Sequence, residues 1–262
     1  MKLKLVLVAL AITLSFSCDQ NNGLNIFSVD DDIALGKQVS DQIAADPQTY
    51  PVLDPVKYAS AYAYVNNIRD KILSGGEVYY KDRFTWEMHI INDDATVNAF
   101  CTPGGYIYIY TGLLNYLESE DQLAGVMGHE MAHADLRHTT EQLTKQYGVD
   151  LLISILLGND PNQIADVAES LTFLAFSRDD EREADEHSVI YLCPTEYNAA
   201  GAAGFFEKLI AEGNSGNMPV FLSDHPDPGN RLEDINSTKS DLGCSGTATY
   251  DQAYEDFLNT LP

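Results

Sequence analysis

The stretch GVMGHEMAHADLRH, residues 125–138, holds two histidines four positions apart, with a glutamate directly after the first. On an α-helix, residues four apart lie about 40° from each other around the axis and one turn along it. His129 and His133 therefore point to the same side, where their imidazole nitrogens can share one metal ion. Glu130 lies about 100° from His129, at the edge of that face, where it can take a proton from metal-activated water instead of binding the metal.

Two histidines alone are also compatible with an amphipathic helix that binds nothing, because a catalytic zinc site needs a third protein ligand. The stretch SRDDEREADEH, residues 177–187, offers one. Glu181 and Asp185 share a helix face, so Glu181 can be the third ligand and Asp185 can accept the outer N–H of a ligand histidine. Glu183 and Glu186 fall on other faces and are interpreted as solvated charges.

The remaining histidines outside the motifs are not predicted to bind the metal. Residues 118–147 are predicted to form one long helix, on which His138 follows His133 by five positions and lies about 140° off the metal face. His187 lies off the face of the third ligand in the same way, and His89 falls in a strand pattern.

The pattern of the remaining chain predicts a mostly helical α+β domain with a small β-sheet. Residues 84–92 alternate in hydrophobicity, and residues 106–110 are rich in β-formers, so both are predicted strands. Further helices are predicted at residues 54–73, 164–176, 179–192 and 199–211. A chain of 262 residues is long enough for one sizeable domain with its own core.

The net charge of the chain limits the kinds of partner that it can bind. The chain has 15 basic and 40 acidic residues, for a net charge of -25. Such a chain repels the phosphate backbone of nucleic acids and anionic lipid headgroups, so the composition argues against a nucleic-acid partner.

The N-terminus is typical of an export signal. Lys2 and Lys4 precede an apolar run, residues 3–16, which is too short to span a membrane. Ser17 and Cys18 follow, which resembles a bacterial lipidation site, although a plain signal peptide cleaved nearby would look similar. The predicted division is a signal peptide at 1–17, a lipidated tether at 18–30 and one domain at 31–262.

The remaining cysteines suit an oxidising compartment. Without Cys18, the chain has Cys101, Cys193 and Cys244. A late pair and one leftover cysteine is a natural division, so Cys193–Cys244 is the candidate disulfide. Three cysteines this far apart do not form a structural zinc site.

HEMAH at 129–133 and EREAD at 181–185 resemble the HExxH and ExxxD motifs of the zinc metallopeptidase family that includes CAAX prenyl proteases, HtpX, BepA and LoiP. The resemblance implies a zincin-type domain with an active-site HExxH helix and one Zn²⁺ per chain. It also implies a role for each motif residue: the ligands His129, His133 and Glu181, the general base Glu130, and Asp185 as the support of a ligand.

Two further stretches match the same family in order. NAFCTPGG at 98–105 resembles the strand before the zinc helix, whose edge is expected to pair with substrate. This implies substrate contacts by Asn98, Ala99, Phe100 and Gly104. His225-Pro226, with Arg231 downstream, resembles a late His-Pro…Arg element. Arg231 or His225 is then a candidate to stabilise the oxyanion, while the rival role of His225 is an extra zinc ligand that holds the enzyme inactive.

The family members differ outside the peptidase domain. The chain has no run of 18 apolar residues, unlike HtpX and the prenyl proteases, and it ends before any helical-repeat domain of the BepA type. It therefore resembles most the compact LoiP-like lipoproteins. This implies a lipid-anchored protein of the bacterial cell envelope that faces the periplasm, at the outer membrane.

Two functions follow from the resemblance. The first is a zinc endopeptidase that cleaves unfolded or misassembled envelope proteins, with the outer-membrane assembly machinery as a further partner. The second is a chaperone or assembly factor for outer-membrane proteins, whose protease activity is latched or secondary.

Overall fold

The computed structural model describes residues 25–158, 161–213, 220–226 and 229–262. The predicted signal peptide, Cys18 and the first part of the predicted tether lie outside the described residues. The helices are α1 (Val29–Ala45), α2 (Ala59–Ser74), α3 (Thr111–Tyr116), α4 (Glu120–Asp135), α5 (His138–Tyr147), α6 (Val149–Leu156), α7 (Pro161–Leu171), α8 (Arg178–Leu192), α9 (Gly201–Gly213), α10 (Val220–Asp224), α11 (Arg231–Leu242) and α12 (Asp251–Leu258). No helix within the described ranges is long and apolar enough to cross a membrane.

A three-stranded sheet supports one side of the site. Its strands β1 (Glu87–Ile91), β2 (Ala99–Cys101) and β3 (Tyr106–Tyr110) lie in the order β1-β3-β2. Strand β1 runs parallel to β3, and β2 runs antiparallel to it at the edge. This confirms the predicted fold class, a mostly helical α+β domain with a small sheet.

The sheet separates two apolar cores. Ile107 and Ile109 of β3 pack into a core with α2 and α4, and the alternate residues Tyr106, Tyr108 and Tyr110 pack into another with α1, α5, α6 and α7. The period of two along a strand explains this division, because successive side chains point to opposite faces.

Helix α4 lies at the centre of the fold and is buried along nearly its whole length. Its glycines allow close helix packing: a Cβ at Gly125 would lie 2.4 Å from the Ala202 nitrogen on α9, and one at Gly128 would lie 2.8 Å from Ser188 Oγ on α8. The Ser188 hydroxyl donates a hydrogen bond of 2.7 Å to the Gly125 carbonyl. Helix α8 is thereby held against α4, which brings the two sequence motifs together.

The single helix predicted for residues 118–147 is wrong, because the chain turns between α4 and α5. Arg137 has a left-handed backbone with φ +65°, which costs a non-glycine residue about 1–2 kcal/mol. Its guanidinium donates to Asp32 Oδ2 and to the Phe27 carbonyl, and both Arg137 and Asp32 are buried. These contacts with the start of α1 stabilise a turn that local sequence does not favour.

A disulfide joins Cys193 and Cys244. Cys193 follows the end of α8, and Cys244 follows the end of α11. The bond therefore ties the helix that carries Glu181 to the helix that begins with Arg231. Cys101 on β2 is a buried free thiol.

Candidate metal centre

Four buried side chains converge between α4, α8 and the residue after α10. His129 Nε2 lies 3.0 Å from His133 Nε2, and Glu181 Oε1 lies 3.2 Å from His133 Nε2. His225 Nδ1 lies 3.2 Å from His129 Nε2 and 3.0 Å from Glu181 Oε1. One donor atom from each residue falls within 4.8 Å of all the others. The fold thus brings residues from three distant parts of the chain to one point.

The hydrogen bonds behind this group favour a cation at its centre. His129 Nδ1 lies 2.9 Å from Asp185 Oδ1, so the ring donates its Nδ1 proton there and Nε2 is left with a lone pair. That lone pair faces His133 Nε2 and the carboxylate of Glu181. Acceptors packed this closely repel each other unless a proton or a metal ion lies between them. Two imidazoles and a carboxylate are also the donor set of known catalytic zinc sites, so the residues fit a metal ion.

The electrostatics of the site point the same way. Burial alone lowers the pKa of His129, but the carboxylates of Glu181 and Asp185 outweigh it and raise the pKa to about 9. Burial opposes ionisation of Glu181 as well, yet the neighbouring His225 and His129 hold its pKa well below the ordinary value. Burial lowers the pKa of His133 well below its usual value, so that ring stays neutral. The carboxylates therefore stabilise one positive charge, close to His129.

Glu130 lies beside the group and is fully buried. Both of its carboxylate oxygens lack a hydrogen-bond partner among the described residues, and Oε1 lies 3.4 Å from His225 Nε2. Burial raises the pKa of Glu130, with partial compensation by the charges of His225 and His129. A buried carboxylate without a hydrogen bond is costly, which is typical of a group that functions with a ligand or a solvent molecule.

Arg231 lies behind Glu181 and Asp185. Its Nη2 donates hydrogen bonds of 2.9 Å to Glu181 Oε2 and 2.8 Å to Asp185 Oδ1, and its guanidinium lies 3.6 Å from the centre of the Phe206 ring. These contacts favour a positioning role for Arg231 over the predicted role at the oxyanion.

Aromatic rings close the site. Phe176 stacks on His133 with a centroid distance of 3.8 Å, and Phe221 stacks on His225 at 4.3 Å. The ligand residues and Glu130 are buried. Among the described residues, the donor atoms of the centre are therefore shielded from solvent.

The predicted substrate strand is covered as well. Asn98, Ala99 and Phe100 are buried, and the Asn98 amide donates to the Thr172 carbonyl and to Asp224 Oδ2. Gly104 lies in the turn after β2 with φ +75°, where a Cβ would lie 2.9 Å from the Cα of Ile33 on α1. Gly104 therefore packs closely against α1, and its carbonyl accepts a hydrogen bond of 2.9 Å from the Thr85 nitrogen.

Sequence reasoning missed two residues near His133. His138 Nδ1 lies 3.1 Å from His133 Nδ1, and His138 Nε2 lies 3.4 Å from Glu183 Oε2. The interpretation of His138 as remote from the metal face assumed a continuous helix, and the turn at Arg137 removes that assumption. Glu183 is only partly exposed, and its hydrogen bond to His138 lowers its pKa. No glycine or proline at the turn signals the break.

The sequence matches the model of a known protein family. The model of peptidase family M48 matches residues 63–239, which is more than half of the chain. This range includes α4 and α8, with all the residues of the converging group.

Curated relatives extend the comparison. The metalloprotease LoiP of Escherichia coli is 27% identical over 260 residues, which cover 92% of this chain and 98% of LoiP. The mitochondrial metalloendopeptidase OMA1 of Arabidopsis thaliana is 36% identical over 143 residues, 54% of this chain and 29% of OMA1. The β-barrel assembly-enhancing protease of E. coli is 28% identical over 193 residues, 68% of this chain and 39% of that protein. The chain therefore spans less than two thirds of the latter two relatives.

Proposed function

The chain belongs to peptidase family M48, and from this premise we propose that it is a zinc-dependent endopeptidase that cleaves unfolded or misassembled proteins of the cell envelope. The observation that carries the proposal is the convergence of His129, His133 and Glu181 beside the unpartnered carboxylate of Glu130. The first three would hold the ion, and Glu130 would do the proton transfer. Zinc supplies Lewis-acid polarisation of a peptide carbonyl and acidifies water.

Glu130 is suited to be the general base. Its raised pKa and its free oxygens allow it to accept a proton from the attacking water and to pass that proton to the leaving amine. Asp185 and Arg231 hold the ligands in place, since Asp185 accepts from His129 and Arg231 donates to both Asp185 and Glu181. The roles of these residues thus divide between proton transfer and positioning.

His225 is suited to hold the enzyme inactive. Its Nδ1 lies among the ligand atoms and its Nε2 lies 3.4 Å from Glu130 Oε1, so the ring takes the space that the attacking water needs. The described conformation is then the closed one, and cleavage requires that His225 and its segment move away. Once displaced, the same ring could approach the oxyanion.

Substrate would bind at β2 after that movement. The backbone nitrogen of Phe221 on α10 donates to the Val97 carbonyl, just before this edge strand. An extended polypeptide that replaces α10 there would gain main-chain hydrogen bonds with little demand on its side chains. Asn98, Ala99, Phe100 and Gly104 would line its path. Such binding favours unfolded segments and a broad specificity.

The location in the cell rests on the N-terminal sequence and on the relatives. After removal of the signal peptide at residues 1–17, a lipid on Cys18 and the tether to residue 30 would anchor the domain to a membrane on its periplasmic side, at the outer membrane. LoiP matches nearly the whole chain, and another bacterial relative is named for β-barrel assembly. The Cys193–Cys244 disulfide suits this oxidising compartment. The outer-membrane assembly machinery is therefore a candidate partner.

The closed site supports a second candidate, a chaperone or assembly factor for outer-membrane proteins with latched protease activity. The first experiment measures cleavage of reduced, carboxymethylated lactalbumin by the full chain, with and without a zinc chelator. Wild type, Glu130→Gln and His225→Ala are compared. Cleavage that needs both zinc and Glu130 supports the peptidase, and faster cleavage by His225→Ala supports the latch. If wild type and His225→Ala bind zinc stoichiometrically but cleave nothing, the chaperone is the better account.

A further inference from the structure

A second pair of side chains lies behind His133. His138 is 4% exposed, and its Nδ1 lies 3.1 Å from His133 Nδ1. On the other side of the ring, His138 Nε2 lies 3.4 Å from Glu183 Oε2. Glu183 belongs to α8, the helix that also carries Glu181 and Asp185.

His133, His138 and Glu183 form a row of hydrogen bonds. Only one placement of the protons in this row is compatible with a metal ion at His133 Nε2. If His133 offers the Nε2 lone pair to a metal ion, its proton lies on Nδ1 and needs an acceptor. His138 Nδ1 can accept it only when the His138 proton lies on Nε2. That proton then points to Glu183, whose carboxylate accepts it. Every donor in the row faces an acceptor.

We propose that His138 and Glu183 position His133, by holding its proton on Nδ1 and its Nε2 toward the metal, as Asp185 does for His129. The inference rests on the metal-binding part of the proposed function. It assigns to α8 three tasks at one centre: Glu181 binds the ion, Asp185 supports the first ligand histidine, and Glu183 supports the second through His138.

The surrounding structure fixes this arrangement. The left-handed turn at Arg137 folds His138 back toward His133, and the buried contacts of Arg137 with Asp32 and the Phe27 carbonyl hold that turn. Phe176 stacks on the His133 ring at 3.8 Å. Stacking on Phe176 therefore sets the plane of the His133 ring, and the hydrogen bond with His138 sets which ring nitrogen faces the metal site.

A matched pair of substitutions separates the hydrogen bond from packing. Asn at position 138 carries its amide near the place of histidine Nδ1, so His138→Asn keeps an acceptor for His133. Gln carries its amide near the place of Nε2, so His138→Gln keeps a partner for Glu183 but loses the one for His133. Both replacements are polar and leave no large cavity.

The measurement is the affinity of the full chain for Zn²⁺, by competition with a chromogenic chelator. We expect His138→Gln to bind about 10–100-fold more weakly than wild type. His138→Asn should lose less, about threefold to fivefold, because it keeps the acceptor for His133 and loses only the bond to Glu183. Equal affinities for the two variants, whether at or below the wild-type value, would overturn the proposal, because the position of the acceptor would then not matter.

A second pair of substitutions tests the proposal even if the variants at position 138 do not fold. Glu183→Gln keeps its size but loses its charge, and should weaken zinc binding by about threefold or more. The exposed Glu186 lies on the same helix, and Glu186→Gln should bind like wild type. Equal binding by these two variants would also count against the row.

Nitrogen-proton correlation spectra of the zinc-loaded chain give the tautomer directly. A slowly exchanging proton on His133 Nδ1 is expected in wild type and should exchange faster in His138→Gln. A His133 that is unprotonated at Nδ1 would refute the assignment. Cleavage assays test the proposed function separately. If the variants bind zinc with the expected order of affinities but no chain cleaves substrate, the positioning role stands and the peptidase function is refuted. If wild type binds no zinc, both are refuted.

Discussion

The amide of Asn98 donates a hydrogen bond of 2.9 Å to Asp224 Oδ2. This bond joins the residue before the edge strand β2 to the residue before His225. The same amide donates to the Thr172 carbonyl, and the Phe176 nitrogen donates to the Asp224 carbonyl. The segments that carry Phe176 and His225 are therefore held to the strand by one small network, and removal of His225 from the centre must break part of it.

Loss of the Asp224 carboxylate should favour the open state. Asp224→Ala removes one hydrogen bond with Asn98, worth about 1 kcal/mol, so the open population and the cleavage rate should rise about fivefold. The rate of cleavage of unfolded lactalbumin at a substrate concentration below KM measures this. Glu233→Ala, at an exposed position of α11, is the control and should leave the rate unchanged. An Asp224→Ala chain that folds and binds zinc but is no faster than wild type would contradict the latch.

Glu130→Gln should separate metal binding from catalysis. The amide keeps the shape of the side chain but cannot accept the proton of water, so cleavage should fall by about 10²–10⁴-fold. Zinc content, measured by atomic absorption, should stay at one ion per chain because Glu130 is not among the ligands. A variant that loses the ion would instead make Glu130 part of the metal site.

The residues of the candidate metal centre could be proposed from sequence on two grounds: spacing on a helix is a local property, and the family resemblance gave each motif residue a role and added His225. The spacing of four in His129–His133 and in Glu181–Asp185 sets a shared helix face whatever the rest of the chain does. The small sheet could be predicted for a similar reason, since the alternation along residues 84–92 and the β-forming residues at 106–110 are also local.

The turn between α4 and α5 could not be predicted, because its causes are remote. Arg137 has no glycine-like freedom, and its left-handed backbone depends on Asp32 and Phe27, more than a hundred residues earlier. The proximity of His138 to His133 follows from this turn. Closure of the site depends on distant contacts too, such as that of Asn98 with Asp224.

The disulfide should stabilise the fold strongly. Cys193 and Cys244 are 51 positions apart, and a loop of this length lowers the entropy of the unfolded chain by the equivalent of about 4 kcal/mol. The double variant Cys193→Ser, Cys244→Ser should lose about 2–4 kcal/mol of free energy of unfolding, measured by urea denaturation. Treatment of wild type with reductant should give a similar loss, and no loss in either experiment would mean that packing between α8 and α11 suffices.

The ion pair that holds the turn should be important for metal binding as well as for stability. Asp32→Ala leaves the buried guanidinium of Arg137 without its carboxylate, which should cost about 3–5 kcal/mol of free energy of unfolding. Arg137→Gly suits the backbone at φ +65° but leaves the buried Asp32 carboxyl without its cation. Because burial raises the pKa of Asp32, that group can take up a proton and become neutral, which a guanidinium cannot do by losing one, so this variant should cost less than Asp32→Ala. Urea denaturation gives both values, and zinc competition on the folded fraction shows whether the turn still presents His138 to His133. If Asp32→Ala were as stable as wild type, the turn would be held by something other than this pair.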